Sequence, residues 1–160
     1  MTEEMLFNQM HILRTLTCQA VSDVSEAQAE QIPAGFRNNI RWNLGHILVI
    51  QEFLLFRLCG EALALSDDYF RMFGRGTSPA DWPLERPSIA ELCSLLEDQT
   101  ERVRTTFSGR LGEPARRPFV WRAGVELKTI GEILSFSLIH EGMHQGSISA
   151  LKRATETADA

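Results

Sequence analysis

His140 and His144 stand four residues apart in the stretch Leu138-Ile139-His140-Glu141-Gly142-Met143-His144-Gln145-Gly146-Ser147. On an α-helix that spacing puts both imidazoles on one face, a single turn apart, where each can offer a nitrogen lone pair to the same ion. With about 100° per residue and His140 at zero, His144 falls at roughly 40°. Ile133, Phe136, Ser137, Ser147 and Leu151 lie within about 60° of zero, so the pair is expected to face an apolar interior with two hydroxyls beside it. His46 occupies an inward sector of an earlier helix and is the candidate third ligand. A single inward histidine is more often a hydrogen-bonded core residue than a ligand. Three neutral imidazoles in one core are costly without partners, and a divalent ion satisfies all of them at once.

The same letters suggest other chemistries that the rest of the chain does not support. His140-Glu141-x-x-His144 matches the zincin spacing, in which the Glu is the general base of a metalloprotease. No third histidine follows it, the only downstream acids, Glu156 and Asp159, fall in an expected tail, and no strand-rich region precedes it to align a peptide. A di-iron bundle needs two Glu-x-x-His units, and here there is one. Phosphate-binding loops and nucleophile elbows of the GxxxxGK[ST], GxGxxG and GxSxG types are absent.

Four long helices have to position the three histidines. The first is expected from Thr2, an N-cap followed by two acids, to about Val21, with Leu6, Met10, Leu13, Thr17 and Ala20 as its stripe. His11 lies off that stripe and is expected at the surface. Residues 22–38 read as a loop. Asn38 or Asn39 caps the second helix, which carries Trp42, His46, Val49, Ile50 and Phe53 in one sector and stops at Gly60. Asn43, one turn before His46, is placed to orient an imidazole or a substrate.

The 61–87 connection is unusually long. It predicts a short helix from Asp67 to Phe73 and a flap bordering the site. Ser88-Ile89-Ala90-Glu91 is a capping box opening the third helix, whose stripe is Ile89, Leu92, Leu96, Val103 and Phe107. Phe119, Trp121, Val125 and Leu127 alternate around Ala123-Gly124 as a short hairpin or extended crossover. Thr129-Ile130-Gly131-Glu132 is a second capping box, and the last helix is expected to run to about Lys152 before a polar tail. The pattern predicts one all-α domain over residues 1–160, a four-helix bundle with long connections and a short β-hairpin before the last helix.

The totals agree with one globular domain of 160 residues. A net charge of −5 argues against nucleic-acid and anionic-membrane partners. The acids at Glu3 and Glu4 stand where a secretory signal has basic residues, and no apolar run approaches the roughly 20 residues of a membrane span. Cys18, Cys59 and Cys93 are odd in number and far apart, without CxxC, which suggests free thiols in a reducing cytoplasm.

The chain resembles the DinB-like (YfiT-like) family of bacterial four-helix bundles. The resemblance rests on Ile40-Arg41-Trp42-Asn43-Leu44-Gly45-His46-Ile47 and on His140-Glu141-x-x-His144-x-Gly146. Asp68-Tyr69-Phe70, Phe73-Gly74-x-Gly76-Thr77, Asp81-Trp82-Pro83 and the Thr129–Leu134 segment support it. The family's metal triad maps onto His46, His140 and His144. The resemblance implies a homodimer with one divalent ion per chain, nickel or zinc foremost, with iron, manganese or cobalt as alternatives. It also implies a small-molecule thiol and an electrophilic substrate as partners, because characterised relatives include thiol S-transferases using bacillithiol, mycothiol or glutathione and a mycothiol-dependent isomerase. Ser147 departs from the pattern, since relatives often carry Gln there.

The expected activity is metal-dependent thiol transfer. The alternatives are a hydrolase working through metal-bound water and a non-catalytic dimeric metal-binding stress protein. Glu141 is the expected base, and Asn43, Ser137 and Ser147 are expected to contact substrate or the ligands.

Overall fold

Each long helix begins at a side chain that satisfies otherwise unpaired N–H groups. In the computed structural model, which describes residues 2–82 and 85–156, α1 (Glu3–Gln19) is capped by Thr2, whose hydroxyl accepts from the Met5 N–H at 3.3 Å. Ser25 caps a one-turn helix, α2 (Glu26–Glu30). Asn39 caps α3 (Ile40–Gln51), accepting from the Trp42 N–H at 2.8 Å. The chain then widens into a π-helical turn, Glu52–Arg57, and leaves it at Gly60, whose φ of +87° is the left-handed conformation that glycine adopts without steric cost. Next comes α4 (Asp67–Phe73), over the residues that the sequence predicts.

The Ser88–Glu91 capping box opens α5 (Ile89–Phe107), with both reciprocal bonds made. Strand β1 (Pro114–Val120) pairs antiparallel with β2 (Glu126–Thr129), Phe119 opposite Leu127. The second capping box is also made. The Glu132 carboxylate accepts from the Thr129 N–H at 2.9 Å, and the Thr129 hydroxyl accepts from the Glu132 N–H at 3.2 Å. Helix α6 (Ile130–Glu156) follows, one turn longer than expected. Residues 157–160, where the polar tail was placed, and 83–84, which include Pro83 of the resemblance, lie outside the described residues.

Helices α1, α3, α5 and α6 form the four-helix bundle, each packing on two others, and the hairpin lies against α6. The core has two apolar clusters. One gathers Ile40, Leu44, Leu48, Phe73, Leu92, Leu96, Ile148 and Leu151. The other gathers Phe7, Met10, Leu55, Phe56, Val103, Phe107, Ile133 and Leu134. Along each helix the positions between the two clusters are polar and buried: Arg14 and Thr17 on α1, Gln51 and Glu52 where α3 meets the π turn, Gln99 on α5, Ser137 and Glu141 on α6.

These residues bond to one another. Arg14 donates to Gln51 at 2.7 Å and pairs with Glu141 at 3.1 Å. Thr17 donates to Glu141 at 2.7 Å and accepts from Gln145 at 2.7 Å. Gln51 donates to Ser137 at 3.2 Å, and Ser137 donates to the Leu134 carbonyl at 2.7 Å. Glu52, fully buried, accepts from Gln99 at 2.8 Å and from Arg102.

Two expectations are corrected. Residues 22–38 are not all loop, since α2 lies among them. Five residues are too few to show a helical period. What holds α2 is tertiary: Ala29 is fully buried, Glu26 and Glu30 pair with the buried Arg41, and Glu30 also pairs with Arg86. The 61–87 connection is not a detachable flap either. Phe73 is fully buried in the core, and its ring fills the place where Gly45 has no side chain: a Cβ on Gly45 would meet the ring at 2.2 Å.

Gly45→Ala is therefore expected to push Phe73 and α4 off α3. Overpacking of this kind costs about 1–3 kcal/mol, and calorimetry should show Tm lowered by several degrees. An unchanged Tm would mean that the α3–α4 contact is slack. Glu141→Ala strips the partner from a guanidinium that is only 2 % exposed. Such a loss costs about 3–5 kcal/mol, a fall in Tm on the order of 10 °C. Wild-type stability with loss of activity alone would return Glu141 to the role of a base.

Candidate metal centre

Asn39 does two jobs at the start of α3. Its side chain caps the helix, and its backbone carbonyl accepts from the Asn43 side-chain NH2 at 2.8 Å. A carbonyl only accepts, so this bond fixes which end of the Asn43 amide points which way. The Asn43 Oδ1 is left facing His144, and His144 Nδ1 lies 2.8 Å from it. An amide oxygen also only accepts, so the His144 proton sits on Nδ1 and the lone pair on Nε2. The same argument applies to His46. Its Nδ1 lies 2.6 Å from the Phe73 carbonyl, which requires Nδ1–H and leaves Nε2 free. Trp42 stacks on the His46 ring at 4.3 Å and 14°, and the Trp42 indole donates to Thr77 at 2.9 Å. Thr77 is tied in turn to the Met72 and Gly74 carbonyls at the end of α4.

His140 completes the group. Its ring centroid lies 5.2 Å from that of His46 and 4.6 Å from that of His144, and His46 and His144 are 4.8 Å apart. One ligand atom from each histidine lies within 4.8 Å of those of the other two. Nitrogens about 2.0–2.1 Å from a shared tetrahedral ion stand about 3–3.5 Å apart, so adjustment by about an ångström closes the set.

The electrostatics suit ligation. Burial, and then the neighbouring histidines, push the His140 pKa down to about 4 and that of His144 to about 3; burial also lowers that of His46. All three rings are neutral at physiological pH, the form that binds a cation. Among the described residues the group contains three histidines and no carboxylate or thiolate. Three protein nitrogens leave a coordination position open, the pattern of catalytic rather than structural zinc. The residues therefore fit a divalent ion, and the donor set suits zinc or nickel as well as iron or cobalt.

The other expected site residues divide. Asn43 is 4 % exposed and orients an imidazole, that of His144. Glu141 is adjacent to His140 in sequence, yet its carboxylate is held by Arg14 and Thr17 on the α1 side. At about 100° per residue Glu141 stands about 60° from His144, and that spacing could not show that α1 brings a cation to meet it. Ser137 is buried and bonds to Gln51 and Leu134, within the polar layer. Ser147 is exposed, its hydroxyl on the Met143 carbonyl of its own helix at 3.3 Å.

The sequence reading did not find the Phe73 carbonyl, the Trp42 stack or the second role of Asn39. The Asn39-x-x-x-Asn43 spacing was the available signal for the last. A backbone carbonyl from a connection 27 residues away leaves none.

The family model for the DinB superfamily matches residues 9–148. A search of curated proteins finds no match. Among solved structures, the chain is similar to the conserved protein of locus from Enterococcus faecalis, with a TM-score of 0.62 over 98% of this chain and 99% of that one, at 14% identity. At that identity the likeness speaks for the fold. The family match spans all three histidines and both capping boxes, and on it the chain belongs to the DinB superfamily.

Proposed function

We propose that His46, His140 and His144 hold one divalent ion, nickel or zinc before iron, manganese or cobalt, and that the protein transfers a low-molecular-weight thiol to an electrophilic small molecule. The observation that carries the reading is the convergence of three neutral imidazoles, two with their tautomers fixed from outside, on a point to which no fourth ligand comes among the described residues. A bound ion supplies Lewis acidity there, lowering the pKa of a thiol or water at its open position. The choice of a thiol follows from the resemblance to bacillithiol-, mycothiol- and glutathione-using transferases.

The chain's own residues supply the rest. Asn43 and the Phe73 carbonyl hold the imidazole protons away from the centre. The Trp42 ring, stacked on His46, gives that imidazole an apolar face. His140 and His144 are half-buried, so a small molecule has access. The protein's cysteines do not supply the sulfur. Burial pushes the Cys59 thiol up to about 11, and no cysteine belongs to the histidine group among the described residues.

The same reading pairs two copies of the chain. Met5, Ile12 and Leu16 on α1 and Ile139 and Met143 on α6 are each at least half exposed, on two helices that pack together. The exposed large apolar residues on the long helices lie on α1 and α6, and a C2 dimer covers them.

Metal analysis is expected to find about one divalent ion per chain, and the loaded protein should conjugate a small thiol to a halide or epoxide electrophile. His140→Ala should lose more than 100-fold in rate. Asn43→Ala should bind metal about 10–100-fold more weakly, as outer-shell losses do, while Cys59→Ser keeps full activity. Equal rates with and without metal would overturn the proposal. Turnover of an ester without added thiol would replace transfer by hydrolysis. Light scattering should give about twice the chain mass, and Ile139→Glu with Met143→Glu should halve it; a wild-type monomer at micromolar concentration would dismiss the dimer.

A further inference from the structure

Arg57, Arg116 and Arg117 border a cavity of about 300 Å³, and among the described residues nothing else lines it. The chain as a whole carries a net charge of −5, so a concavity made only of cations runs against its composition.

Strand geometry also works against the grouping. Arg57 ends the π-helical turn, and the other two stand side by side on β1. In a regular strand, neighbouring side chains point to opposite faces. Strand β1 is irregular here: it runs from Pro114 to Phe119 while its partner runs only from Thr129 to Leu127. Bulges re-aim side chains, and this one lets Arg116 and Arg117 border one cavity. The Arg117 N–H donates not to β2 but to the Leu58 carbonyl, at 2.9 Å, which fastens the bulge to the exit of the π turn. The other two arginines are seated as well. The Arg116 stem crosses Gly60, its Cδ 2.9 Å from where a Cβ would stand, so only glycine leaves it room. The Arg57 guanidinium lies over the Phe70 ring, 5.6 Å from its centroid.

Three like charges repel, and the usual relief is a carboxylate. None of the three has such a partner among the described residues. The acids nearest to them in sequence are taken: Glu61 and Glu113 pair with Arg110, Glu52 with Arg102 and Glu126 with Lys128.

We infer that Arg57, Arg116 and Arg117 form a receptor for a phosphate dianion, free or as the terminal group of a small monoester. A guanidinium presents a planar fork of N–H donors. A carboxylate has two oxygens in one plane and a single negative charge, which would leave two of the three cations unanswered. A phosphate monoester turns three oxygens in three directions and carries about −1.5 to −2 charges at pH 7. Guanidinium groups stay protonated, so the site keeps its charge throughout the physiological range. The inference rests on neither the metal nor the transferase reading.

Isothermal titration calorimetry of the full-length protein in low salt tests it, with inorganic phosphate in one series and phenyl phosphate in another. Saturable binding of at least one of them is expected. Tighter binding of phenyl phosphate assigns the site to a monoester, and tighter binding of inorganic phosphate assigns it to the free ion. Arg57→Ala, Arg116→Ala and Arg117→Ala should each weaken binding about tenfold, the loss of one charge-assisted contact. Arg122→Ala removes a cation from the same hairpin but not from the cavity, and should change binding by less than about twofold. All four arginines are exposed, so Tm should stay at the wild-type value in each variant. His140→Ala should bind the anion as the wild type does; loss of binding there would move the phosphate to the histidine centre and overturn the assignment. Equally tight binding of acetate at the same ionic strength, or equal weakening by Arg122→Ala, would also overturn it. So would binding of neither phosphate at millimolar concentration, even if phosphatidylserine vesicles bind.

Discussion

The proton on His144 Nδ1 is held by an amide whose own direction is set one helical turn earlier. Asn39 caps α3 with its side chain and anchors Asn43 with its carbonyl, so the start of the helix and the tautomer of a ligand on another helix belong to one hydrogen-bonded chain. An imidazole with either nitrogen protonated would pack equally well, and only one tautomer presents Nε2 to the centre. For His46 the Phe73 carbonyl does the same work, which makes α4 part of the site as well as part of the core. The close contact of Gly45 with the Phe73 ring then follows as a requirement: α4 must come this near α3 for its last carbonyl to reach His46.

Burying polar groups beside such a site has a cost unless each finds a partner. The bundle meets it with a layer instead of isolated pairs. Arg14, Thr17, Gln51, Ser137, Glu141 and Gln145 join α1, α3 and α6 at the level where the two apolar clusters stop. A layer of this kind fixes the heights of the helices relative to one another, because sliding α6 by one turn would leave Arg14 and Glu141 each buried alone. The height of α6 is also what sets His140 and His144 opposite His46. The polar layer and the histidine group are thus two consequences of one helix register.

Capping chemistry made the fold readable. Thr2, Asn39, Ser88-x-x-Glu91 and Thr129-x-x-Glu132 act over three residues and are visible in any linear reading, so four helix starts came out correctly. The histidine triad was readable because its i, i+4 half is local and its third member sits in a recognisable segment. What stayed hidden was tertiary. Helix α2 is held by ion pairs from Arg41 and Arg86, residues 11 or more positions beyond it. Glu141 reads as a general base from its position next to His140, and only the fold shows that Arg14 pairs with it.

At the histidines the protein presents nitrogen lone pairs and, among the described residues, no sulfur or carboxylate of its own, although Glu141 follows His140 directly. Arg14 and Thr17 account for this: they hold the Glu141 carboxylate on the α1 side of α6, so the turn beside His140 carries a carboxylate that is already paired. Glu141 is 1 % exposed where His140 and His144 are half-buried, so one turn of α6 gives its acid to the polar layer and its imidazoles to the more open side.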